Sequence, residues 1–91
     1  MIKHPRTIEG YSGSLETWAQ NVGNMAYDCV SLFIEELARD IRRQAYKDHK
    51  KNRKQLVAKL YATAEELDFA KSSLHLAWEI CKPYVEDSQN P

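Results

Sequence analysis

Between Asn24 and Lys82 the chain has neither a glycine nor a proline. Its three glycines (Gly10, Gly13, Gly23) all lie in the first quarter, and its prolines stand at positions 5, 83 and 91. So long a segment without a helix breaker leaves helix as the economical reading. Cysteine is equally scarce. Cys29 and Cys81 each sit in an apolar periodic stretch, which predicts two core thiols of a reduced compartment. No CxxC pair or Cys/His cluster argues for zinc.

Long hydrophobic runs are missing as well. The opening "MIKHPRTIEGYSGS" is mixed and polar, and the densest apolar cluster, "CVSLFI", is far too short to span a bilayer. The expectation is a cytoplasmic protein with no membrane partner. There is no glycine-rich phosphate loop, no nucleophile motif and no glutamate with a histidine three residues on, as inward-facing di-iron pairs require. His75 and Glu79, four apart, share a polar helical face with Asp68 and Ser72 and read as a solvated ion pair. No catalytic residue, metal site or cofactor is expected, and the chain reads as a non-enzyme.

The composition, 43% hydrophobic and 29% charged with a formal net charge of zero, is that of an ordinary globular protein. One domain over residues 1–91 is expected, with 1–13 an extended arm and 86–91 a disordered tail. So short a chain buries a modest fraction of its surface alone, which makes oligomerisation a natural aid.

Apolar phase organises the rest. Ser14 is placed to cap a helix beginning at Leu15, with Glu16 in its first turn. From Leu15 the apolar positions step to Trp18, Val22, Met25 and Cys29, alternating three and four; then they step by four through Phe33, Leu37, Ile41 and Ala45. Steps of four rotate the stripe by about 40° each, so this helix must bend or change partners beyond Cys29. Leu56, Leu60, Ala64, Leu67, Ala70, Leu74, Trp78, Cys81 and Val85 hold one phase, which favours one long second helix despite a possible capping box at Thr63 and Glu66. Pro83 is expected to end that helix.

Phe69, Leu76 and Ile80 form a second stripe more than 100° from Leu67, Leu74 and Trp78, while Ile34 and Ile41 widen the apolar arc of the first helix. A two-helix hairpin covers only one stripe on each helix, and a large uncovered apolar surface marks an interface. The predicted fold is all-α: a long antiparallel helical hairpin that completes a four-helix bundle by pairing with another copy. The alternative is a monomeric bundle of four short helices broken near Gly23, Lys51 and Thr63. In the hairpin, Trp18 and Trp78 would share one core layer near the open end.

Residues 39–55 carry eight bases (Arg39, Arg42, Arg43, Lys47, Lys50, Lys51, Arg53, Lys54) and two acids, a balance of +6; the remaining five bases and eleven acids leave −6. The bend is expected here, between Lys47 and Asn52, with Asn52 and Gln55 patterned as an N-cap and its partner. Such a tip could hold phosphates, but one tyrosine among eight bases is thin for stacking bases. Two functions follow: a homo-oligomeric interaction or scaffold module that binds itself, and by extension another protein, through Ile34, Ile41, Phe69, Leu76 and Ile80; or, alternatively, a small nucleic-acid accessory protein using the basic tip.

Overall fold

Ser14 opens the first helix as its sequence context predicts: its hydroxyl oxygen accepts the Thr17 backbone N–H at 3.0 Å. The computed structural model of the chain describes residues 4–89 and is all-helical there, with α1 at Leu15–Gly23, α2 at Tyr27–Lys50 and α3 at Lys54–Gln89. The described part of the arm has no helix or strand; its Ile8–Tyr11 turn places Gly10 at a φ of 81°, where a Cβ would be strained. Residues 1–3 of the arm, and Asn90 and Pro91 of the tail, lie outside the described residues.

Two expectations about the first half are corrected. The helix from Leu15 is not continuous, because it stops at Gly23 and restarts at Tyr27. The change of step seen in the sequence therefore marks two separate helices. Met25 falls in the linker, and Cys29 is an exposed thiol on α2 because the phase of α1 does not carry across the break.

The reversal also differs from its expected form. Asn52 is not an N-cap; it has a φ of 62° and closes α2. Its N–H donates to the His49 carbonyl at 3.0 Å, and the Arg53 N–H donates to the Asp48 carbonyl at 3.2 Å. Those two bonds define a Schellman motif, with asparagine supplying the left-handed residue that glycine usually supplies. The Arg53 guanidinium then pairs with the Asp48 carboxylate at 3.1 Å, tying the new helix to the end of the old one.

α3 runs unbroken through Thr63, whose hydroxyl donates to the Lys59 carbonyl at 2.8 Å and caps nothing. It also continues past Pro83, where it was expected to end. A proline on an exposed face removes one backbone bond, and the turns on either side carry the helix past it.

α2 and α3 lie antiparallel, as the ion pairs Arg42–Asp68 and Lys71–Glu35 (3.5 Å) and the bond from Ser31 Oγ to the Lys71 carbonyl (3.1 Å) show. Their seam is built from small residues. Ser31, Ala38 and Ala45, each seven apart on α2, are buried together with Ala64 of α3, and among the described residues no larger side chain is fully enclosed. Half-buried Ile34, Ile41, Leu60, Leu67, Leu74 and Trp78 fill the flanks in the three-four alternation of a packed helix pair. Leu56 and Ala70, read in the sequence as seam residues, are exposed, and Lys71 takes the seam position beside Ser31.

Among the described residues α1 packs on α2 and not on α3, so Trp18 and Trp78 do not share a layer. Trp18 instead meets Tyr11 of the arm edge-on, with ring centres 5.0 Å apart at 71°. The result is a slab of 54 × 30 × 15 Å. Its radius of gyration of 16.5 Å exceeds the roughly 12 Å of a compact chain of this length.

Two variants test this packing. Ala38→Leu adds apolar bulk yet should destabilise the protein by about 1–3 kcal/mol in urea denaturation, because the seam has no room for it. Asn52→Ala should cost about 1 kcal/mol in the same measurement, with Asn52→Gly close to neutral, since only the alanine resists the left-handed backbone.

Candidate interaction surface

On α3 the seam residues Ala64, Leu67, Lys71, Leu74 and Trp78 point towards α2. At about 100° per residue, Phe69, Leu76 and Ile80 fall roughly 140–180° away, on the opposite side of the same helix. They are 75%, 63% and 74% exposed, values that belong to charged residues in an ordinary fold. Tyr84, four residues beyond Ile80, extends the stripe and is also exposed. Its spacing was readable in the sequence, but a proline beside it suggested that the helix had ended.

The five expected interface residues therefore divide. Phe69, Leu76 and Ile80 form one continuous outer stripe, whereas Ile34 and Ile41 are half-buried on the seam side of α2. Exposed Leu32 lies near Leu76, the two lining a shallow cleft of about 680 Å³ with Asp28, Glu35, Lys71 and His75. A second groove, of about 290 Å³, runs between Trp18, Val22 and Met25 and Phe33 of α2.

At the tip the structure neutralises the arginines and leaves the lysines. Arg39 pairs with Glu36 at 2.6 Å and Glu35 at 3.4 Å, Arg43 with Asp40 at 2.7 Å, Arg42 with Asp68, and Arg53 with Asp48. Donation from the Gln44 amide and the Arg43 guanidinium holds the Asp40 carboxyl below the usual carboxylate range. None of Lys47, Lys50, Lys51 and Lys54 has an ion pair among the described residues. The Lys50 ammonium lies 4.7 Å from the centre of the Tyr46 ring, which occupies the aromatic that a base would need. His4 returns to this end of the molecule, where it lines an open cleft of about 620 Å³ with Arg43, Lys47, Lys51 and Arg53.

Three of the four arginine clusters are pairs within one helix or across one turn, at spacings of three to five residues. Of the arginine pairs among the described residues, Arg42–Asp68 alone crosses the hairpin, and it could not be read without knowing the register. His75 and Glu79 form the expected exposed pair at 3.7 Å, extended to Lys82 at 3.4 Å from the same carboxylate. Among the described residues no group of three His, Cys, Asp or Glu side chains could hold a metal ion, and no helix is long and apolar enough to cross a membrane.

The tip can be tested apart from the fold. Replacing Lys47, Lys50, Lys51 and Lys54 together by glutamine should leave the unfolding free energy within about 0.5 kcal/mol of the parent, because they are exposed and have no ion pair among the described residues. Any affinity for duplex DNA measured by fluorescence anisotropy should vanish with the same change, and its salt dependence should flatten by about 0.9 for each phosphate no longer neutralised. Set against known proteins, the chain matches no family model, no curated protein and no solved structure.

Proposed function

We propose that the chain is a non-enzymatic, self-associating helical module, in which two copies bring their hairpins together as a four-helix assembly. The observation that carries this reading is a mismatch within one molecule: among the described residues nothing larger than alanine is fully enclosed, while Phe69, Leu76 and Ile80 stand in a row on the surface. Area supports it. The chain exposes 7379 Å², against about 5,500 Å² for a compact monomer of 10.6 kDa. That surplus of about 1,900 Å² exceeds the roughly 800 Å² per partner that a standard interface removes.

Association contributes what a single slab lacks. Burying one such side chain from nearly full exposure stabilises by about 1.5–3 kcal/mol, and a three-residue stripe used by both copies doubles the gain. The scaffold role follows from shape, since pairing two slabs through the outer stripe leaves the tip and the α1 groove free to meet other proteins.

Light scattering at micromolar concentration should give a mass of two chains, about twice 10.6 kDa, and Ile80→Asp should return it to one chain or unfold it, because a carboxylate cannot be buried unpaired. A compact monomer at every concentration, with stability unchanged by Ile80→Asp, would refute self-association.

A further inference from the structure

We propose that the two copies meet antiparallel along the outer faces of α3, with the two-fold axis passing at Phe69. This rests on the self-association proposed above and adds its geometry. Charge sets the direction. A parallel pair would stack Lys47, Lys50, Lys51 and Lys54 of one tip, which have no ion pair among the described residues, on those of the other. An antiparallel pair carries the two basic tips to opposite ends of the assembly.

Residue size sets the register. When antiparallel helices are related by a dyad at residue 69, a residue n positions beyond it faces the residue n positions before it on the partner. Leu76 then faces the partner's Ala62, Ile80 faces the partner's Ala58, and Phe69 meets itself on the axis. Each large residue meets a small one, and all of these side chains are exposed in the single chain. On the flanks, Glu65 and Glu66 come beside the partner's Ser72 and the partner's Ser73. A dyad at Leu76 fails, because it sets Ile80 against Ser72.

The overlap runs from Lys54 to Tyr84, about 45 Å of helix, long enough to draw on the surplus area of the slab. It also accounts for the small residues of the first half of the stripe, Ala58 and Ala62, which are exposed and have no role in the hairpin seam.

In a background of Cys29→Ser and Cys81→Ser, Phe69→Cys should give a disulfide-linked dimer on mild oxidation, and Leu76→Cys should not. Mixing copies that carry Ala62→Cys with copies that carry Leu76→Cys should give the mixed dimer by mass spectrometry. The mixed dimer keeps the Phe69 ring in both copies, so it reports the register without that loss. A dimer by light scattering that links through Leu76→Cys alone, or that gives no mixed dimer of Ala62→Cys with Leu76→Cys, overturns this register while leaving self-association standing. A monomer in all of these variants and in the parent overturns both.

Discussion

The close approach of α2 and α3 is what everything else in this molecule depends on. A serine side chain is one carbon long, yet Ser31 reaches the main-chain carbonyl of Lys71 on the neighbouring helix. Ala38, Ala45 and Ala64 permit the same proximity along the rest of the seam. Close packing of backbones gives many short van der Waals contacts and little apolar volume, so the hairpin is well defined without having a deep core. The large side chains are displaced to the flanks and the outer faces, and the apolar surface available for association is a direct result of the small ones inside.

That displacement explains which parts of the fold were legible in the sequence. Helix, hairpin and single long α3 follow from missing breakers and from an apolar phase held over thirty residues. The seam on α2 did not, because large residues such as Phe33 and Leu37 dominate any reading of apolar periodicity, and both are exposed. The signal was the seven-residue spacing of Ser31, Ala38 and Ala45, which marks a packed face by smallness. The break before Tyr27 hid for a similar reason. Trp18, Val22, Met25 and Cys29 fit one stripe by spacing alone, although a linker without proline or with a single glycine can interrupt it.

The candidate site was legible on one helix only. Phe69, Leu76 and Ile80 were identifiable from phase, and the structure leaves them exposed; Ile34 and Ile41 were grouped with them because a helical wheel gives the width of an apolar arc and not the side from which the neighbour comes. The basic tip was visible as composition, but its pairing was not. Asp40, Asp48, Asp68, Glu35 and Glu36 take up its arginines through turns and one cross-helix register that composition does not encode. What remains is a set of lysines on a solvated end, a weaker and more adaptable field than eight bases suggest.

The tightness of the reversal sets the order in which the hairpin can assemble. The Arg53–Asp48 pair closes over five residues, whereas Ser31 and Lys71 are forty apart in the chain. The entropy of joining chain ends grows with their separation, so contacts next to the turn form from the smallest loops, and each one shortens the search for the next. The helices would close like a zipper from Asn52 towards the open end, and the outer stripe of α3 would become straight and continuous only when the last teeth are in. An encounter between two unfinished chains would then find the stripe in pieces, and the pairing of copies proposed above would be the final step of folding.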